Sequence, residues 1–264
     1  MARYTVHGGH AKHGNKFCGA VGFCSESLVD RAICASVISW LKKAGHAAYD
    51  CSVDSGISQG NIISKIKRNI NSFTNVTANI SIHLNAYKKS AVDGKVKGCE
   101  AIVYSTNSKD AIIANRICYE LKRLGFTNRG VKSRTDLGVL KGIKNGGANV
   151  LVEVFFCDDQ DDYNLFNKVG VDAIGKAIAV GTIGEPIKES TMRAALPTIK
   201  FGSTGTEAQK LQLNLNKVAS AGLECTGNFD ARSVSALKKW QSAVGLEPDG
   251  SYGPLSYDAM QSLL

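Results

Sequence analysis

The sequence predicts an α/β layer protein, with a mostly parallel sheet flanked by helices, followed by a small three-helix domain. Three observations lead there. Short alternating or apolar runs at 3–6, 47–51, 79–86, 99–104 and 149–155 take turns with amphipathic helical stripes, the pattern of a layered fold with parallel strands. Asn149 to Phe155 is almost continuously apolar, as a strand covered on both faces is. Beyond Gly184 the strand signals stop and only helical stripes remain.

Arg3 to Val6 reads as a strand entering the loop His7-Gly8-Gly9-His10, where two glycines permit backbone geometry closed to other residues. Ser25 reads as the N-cap of a helix from Glu26 to about Ala44, with Val29, Ile33, Val37, Trp40 and Leu41 on one stripe and Gly45 as its stop. A strand over Ala47 to Cys51 and a helix marked by Ile62, Ile63, Ile66 and Ile70 follow. Asn79 to Ala86 alternates into His83, so that histidine stands at the carboxyl end of a strand, where ligands of open α/β sheets gather. Lys88 to Lys97 is a polar loop, Cys99 to Tyr104 a strand, and Lys109 to Leu124 a helix ended by Gly125. Arg129 to Lys132 and Gly138 to Leu140 are short extended pieces, and Asp161 to Ile183 is one last amphipathic helix.

The predicted organisation is a domain over residues 1–183, a linker over 184–197 and a second domain over 198–264. The second holds helices from Glu207 to Ala219 and Ala231 to Val244, then a short final one. Met192 in the linker offers a second start for the tail module.

Composition narrows the class. A hydrophobic content of 44% with 21% charged residues fits a water-soluble globular chain. No apolar run approaches the ~18–20 residues of a membrane span, and no secretory signal follows Arg3. Synthesis in a cytoplasm is the expectation. The eight cysteines are scattered without a CxxC pair, as free packed thiols are. Of the net charge of +9, residues 1–192 carry +8 (25 Lys/Arg against 17 Asp/Glu) and residues 193–264 carry +1. That points to an anionic partner. No nucleic-acid motif or aromatic-interleaved basic strip accompanies the charge.

Four residues stand where chemistry gathers: His10 in a loop, Glu26 at a helix start, His83 at a strand end and Glu153 inside an apolar strand. Two neutral imidazoles and a carboxylate suit zinc, leaving a fourth position for water. Such a site hydrolyses an amide when a further carboxylate serves as base and then acid. Glu153 has an expensive position unless it is paired or functional, and is the candidate base. By residue type alone His7, His13 and His46 compete with His10. His7 points opposite to Val6, toward solvent or the loop, and His13 is the stronger rival.

Val6-His7-Gly8-Gly9-His10 with Glu26, Ser81 to Ala86, Gly98-Cys99-Glu100, Arg129 to Lys132 with Asp136 to Leu140, and Leu151 to Phe156 together resemble the zinc-dependent N-acetylmuramoyl-L-alanine amidases of the amidase-3 family. The resemblance covers about residues 1–180. It implies zinc ligands at His10, Glu26 and His83, a catalytic Glu153, and substrate-binding roles for Asn85 and Arg129. The usual Asp-Pro-Gly-His opening is His7-Gly8-Gly9-His10 here, an unusual loop around an intact ligand. The tail, with Phe201 to Gln212, Lys239-Trp240-Gln241 and Gly245-Leu246-Glu247-Pro248-Asp249-Gly250-Ser251-Tyr252-Gly253-Pro254, is similar to the three-helix peptidoglycan-binding domain. The two resemblances imply a peptidoglycan hydrolase cutting between N-acetylmuramic acid and L-alanine. It would resemble a phage endolysin, or equally a bacterial lysin released by mother-cell lysis, acting on the wall after release from the cytoplasm and without inserting into the membrane. A zinc peptidase of the stem or cross-bridge, and a non-catalytic wall-binding protein with a structural metal, are the alternatives.

Overall fold

A computed structural model describes residues 1–87, 91–187, 198–261 and 263. The chain divides into two compact units at residues 188 and 189.

In the first unit six strands form one sheet: β1 (Arg3–Gly8), β2 (Ala47–Asp50), β3 (Ala78–Asn85), β4 (Cys99–Val103), β5 (Asn128–Ser133) and β6 (Ala148–Phe156). Their order is β2-β1-β3-β6-β4-β5. All neighbours run parallel except β4 and β6, which are antiparallel. The sheet is therefore mostly parallel, as expected, with one reversed seam beside β6. Helices α1 (Glu26–Lys43), α2 (Gln59–Asn71), α3 (Lys109–Arg123), α4 (Gln160–Val169) and α5 (Val171–Ile183) surround it.

Strand alternation sends successive side chains to opposite faces. Ile80, Ile82, Val150 and Val152 join Ile33 and Val37 of α1, Ile117 of α3 and Ile178 of α5 in one core. Leu151 and Ile102 instead join Ile62, Ile66 and Ile70 of α2 in a second core on the other face. By the same alternation His83, Glu153 and Glu100 belong to that second face. Register then sets them in one row across three strands, since His83 pairs with Glu153 and Glu153 with Glu100.

Three local expectations are corrected. Gly138–Leu140 is a 3-10 turn and not an extended piece. A Cβ at Gly138 would lie 2.8 Å from Ile63 of α2, so the turn hugs the helix where a strand would have no partner. The expected single helix to Ile183 is two, broken at Gly170 with φ 81°, a geometry that interrupts the helical ladder. His7, expected near solvent or the loop, is 1% exposed. It does lie opposite Val6, but a strand inside this sheet is covered on both faces.

Among its described residues the second unit has three helices, α6 (Thr206–Ala219), α7 (Ala231–Ala243) and α8 (Pro254–Gln261), closed on Leu211, Leu215, Phe229, Leu237, Trp240 and Met260. Two buried glutamines pin its loops in the same way. Gln212 of α6 accepts from the Gly227 amide at 3.0 Å and donates to the Asn228 carbonyl at 2.9 Å. Gln241 of α7 accepts from the Gly250 amide at 3.0 Å and donates to the Ser251 carbonyl at 3.0 Å. Most of the expected linker, Met192 included, lies outside the described residues, as do residues 88–90 of the polar loop.

Candidate functional site

Glu26 is the hub of the site. It opens α1, where the helix dipole favours a carboxylate, and is 3% exposed. Its Oε2 accepts from the Ala20 amide at 2.8 Å and its Oε1 from the Leu84 amide at 3.1 Å. The same Oε1 lies 3.2 Å from His10 Nε2 and 3.2 Å from His83 Nδ1. The loop carrying His10 is held to β3 by the Gly9 amide, which donates to the Ile82 carbonyl at 3.0 Å.

Two glycines make room for this cluster. A Cβ on Gly9 would fall 1.7 Å from the His83 ring, and a Cβ on Gly19 would fall 2.5 Å from Glu26 Oε2. His13 and His46 stand elsewhere. His13 Nδ1 meets the Ser25 hydroxyl at 2.9 Å, and His46 packs edge-on against Tyr4 with ring centroids 5.5 Å apart. That hydroxyl therefore does not cap α1, although Ser25 occupies the N-cap position.

The three ligand atoms of His10, Glu26 and His83 lie within 4.8 Å of one another. A tetrahedral ion with bonds of ~2.1 Å spaces its ligand atoms ~3.4 Å apart, so the donor set fits zinc in type, number and spread. His10 Nδ1, His83 Nε2 and Glu153 Oε2 are buried with no hydrogen-bond partner among the described residues. Polar atoms of this kind are normally satisfied unless a ligand or a reaction uses them.

Burial alone pushes the Glu26 carboxyl up, but hydrogen bonds and charge from His10 and His83 hold it well below the usual carboxylate range. Burial lowers the proton affinity of His83, and Glu26, Glu153 and Asp30 together reverse this to a net rise. Burial raises the Glu153 carboxyl, with the charges of Glu26 and Glu100 adding to it. His7 is pushed down to about 4 by burial.

Glu153, His10 and His83 line one cavity of about 240 Å³. Asn85 and Arg129 converge next door on Glu100. Asn85 Nδ2 donates to Glu100 Oε1 at 3.2 Å, Arg129 Nε donates to Oε2 at 2.8 Å, and Lys132 joins the same oxygen. Arg129 also covers the Phe156 ring, 4.9 Å from its centroid. Glu100 enters the sequence reading only within the Gly98-Cys99-Glu100 motif and without a role, although it sits in an apolar strand just as Glu153 does. Asp30, one turn along α1 from Glu26, is fully buried, and neither of its oxygens has a hydrogen-bond partner among the described residues. Nothing in its sequence neighbourhood signals that.

The fold and site thus define an α/β protein with a compact His-Glu-His donor cluster beside a carboxylate at the ends of its central strands. A family model described as N-acetylmuramoyl-L-alanine amidase matches residues 6–183, and a peptidoglycan-binding domain model matches residues 204–260. The chain belongs to the N-acetylmuramoyl-L-alanine amidase family and carries a peptidoglycan-binding domain. It is similar to the catalytic domain of the CD27L endolysin targeting Clostridia difficile, at 27% identity and a TM-score of 0.62 over 70% of this chain and 99% of that one. It is also similar to the CwlD amidase of Clostridioides difficile, solved with the GerS lipoprotein, at 25% identity and a TM-score of 0.56 over 69% and 96%. Two uncharacterised Clostridium perfringens proteins match at 32% identity over 78% of this chain and 27% over 86%. The matches span 60% and 63% of those relatives' lengths.

Proposed function

We propose that this chain is a zinc-dependent peptidoglycan hydrolase that cuts the amide between the lactyl group of N-acetylmuramic acid and L-alanine of the stem peptide. The observation carrying this reading is the convergence of His10, Glu26 and His83 on one point, with Glu153 on the same cavity, in a chain of this family. Zinc, when bound, supplies a Lewis acid for the carbonyl and brings the pKa of water toward ~7. His10, Glu26 and His83 hold it. Glu153 takes a proton from the attacking water and passes it to the departing amine of L-alanine, and its raised proton affinity suits the second half of that task. Asn85 and Arg129, through their shared hold on Glu100, border the substrate's path beyond Glu153.

In this reading residues 1–183 are the catalytic domain, 184–197 the linker and 198–264 the wall-binding domain. Tethering a weak wall binder to a catalytic domain raises the local substrate concentration without new contacts at the active site. The lysin is made in a cytoplasm and reaches the wall on release, in the manner of an endolysin.

The test compares wild type and Glu153→Ala for zinc content, lysis of purified walls and the termini released. Wild type is expected to bind about one zinc and to free the L-alanine amine without new reducing ends. The variant should keep its zinc and lose at least about a hundredfold in rate. Lysis surviving in the variant would remove Glu153 from the reaction. Loss of zinc would make it a ligand and return Glu26 to question. New termini within the stem or cross-bridge would replace the amidase by a peptidase.

A further inference from the structure

We propose that Arg134 is the specificity residue of this site and binds the free α-carboxylate on the second residue of the stem peptide. This rests on the amidase reading above and names what that cleft recognises beyond the scissile bond.

The cavity lined by His10, His83 and Glu153 is also lined by Arg134 and by Gln59 and Ile63 of α2. Backbone bonding places Arg134 there. Its amide donates to the Val103 carbonyl at 3.0 Å, carrying the β4–β5 pairing one residue past Ser133, and the Ser133 hydroxyl donates to the Tyr104 carbonyl at 2.8 Å. Arg134 is the one cationic side chain among the described lining residues that is not a candidate metal ligand. Arg129 and Lys132 are committed to the buried carboxylate of Glu100.

The guanidinium of Arg134 holds a two-point pair with Asp136, with Nε donating to Oδ1 at 3.1 Å and Nη2 donating to Oδ2. Both side chains are half-exposed or more. An exposed pair of this kind holds its partners weakly, so an incoming carboxylate exchanges with Asp136 at little cost. A planar fork matches a carboxylate in two bonds.

The chemistry of the stem supplies such a group close to the scissile bond. The residue after L-alanine is joined through its side-chain carboxyl, which leaves its α-carboxylate free or amidated. That group lies no more than ~7 Å along the chain from the scissile nitrogen. The donor cluster and Arg134 line one and the same cavity of about 240 Å³.

Two muramoyl tripeptides test the proposal, one with the free α-carboxylate and one with the carboxamide in its place, both given to the zinc-loaded full chain. Wild type should show a KM about tenfold lower for the carboxylate, the size of one partly exposed charge-assisted pair. Arg134→Ala should erase that ratio with kcat unchanged, Arg134→Lys should restore part of it, and Asp136→Asn should lower the KM for the carboxylate alone. The dissociation constants of the same pair are measured with Glu153→Ala. Neither twin being cleaved, while the carboxylate preference in binding persists and disappears with Arg134→Ala, would overturn the amidase reading and leave this assignment standing. Equal wild-type values for the twins in both KM and Kd, or a preference that survives Arg134→Ala, would overturn it.

Discussion

Asp30 shows most plainly how a single residue trades stability against site chemistry. Its carboxyl is pushed up to about 7, first by burial and then by the charge of Glu26, while His83, Arg31 and His10 pull it down. In the unfolded chain the same group titrates near ~3.9. The folded state therefore holds the proton more tightly, so this contribution to stability is fully present below ~3.9 and is lost as pH rises through about 7. Asp30→Asn keeps the shape and removes the buried charge. In chelator-treated protein it should raise thermal stability over wild type at pH 8, by as much as ~3–4 kcal/mol, and the gap should close at pH 4. Melting curves at both pH values decide it, and an unchanged gap would show that the buried charge is not the cause. Residues such as Gly9 are constrained differently: any side chain there would occupy the place of the His83 ring.

At the scale of elements, the sheet positions the row of His83, Glu153 and Glu100 and the helices hold the sheet by close approach. Gly181 lies on α5 against α3, where a Cβ would meet the backbone of Ile117 at 2.6 Å. Gly60 on α2 has only the Ser58 hydroxyl, 3.9 Å away. Alanine is the better helix former by up to ~1 kcal/mol, so the two glycines should respond with opposite signs. Gly181→Ala is expected to destabilise by ~1–3 kcal/mol through overpacking, and Gly60→Ala to be neutral or to stabilise by up to ~1 kcal/mol. Urea denaturation of both variants measures this. A stabilised Gly181→Ala would mean that α3 and α5 are free to move apart. The break at Gly170 is also an element-scale event, since one residue with positive φ divides what periodicity alone joined.

For the molecule as a whole, charge is unequally shared, with +8 in residues 1–192 and +1 beyond. An anionic wall would be attracted to the first of these, and attraction between exposed charges is screened within ~10 Å at 0.1 M salt. Lysis rates of the full chain should therefore fall several-fold between about 50 mM and 500 mM sodium chloride, beyond the Debye range of the lower salt. A rate indifferent to salt would sink the electrostatic part of the reading. No helix among the described residues is long and apolar enough to cross a membrane.

Much of this was legible in the chain itself. Alternation and helical stripes determined the strands, the principal helices and the mostly parallel sheet, because burying one face of each element leaves a periodic trace in the sequence. The glutamate in an apolar run drew notice to Glu153, and the motif order pointed to His10, Glu26 and His83. Only the tertiary structure decided the rest. Register put His83, Glu153 and Glu100 in one row, and residues 17 to 70 positions apart in sequence acquire a common row only when strands pair. The reversal of β4 against β6, the depth at which His7 and Asp30 are buried, and the arrival of Arg134 on the wall of the same cavity likewise depend on which surfaces meet. Local sequence records what each element prefers. It does not record which neighbour will desolvate a given charge, and that is what sets the chemistry of this site.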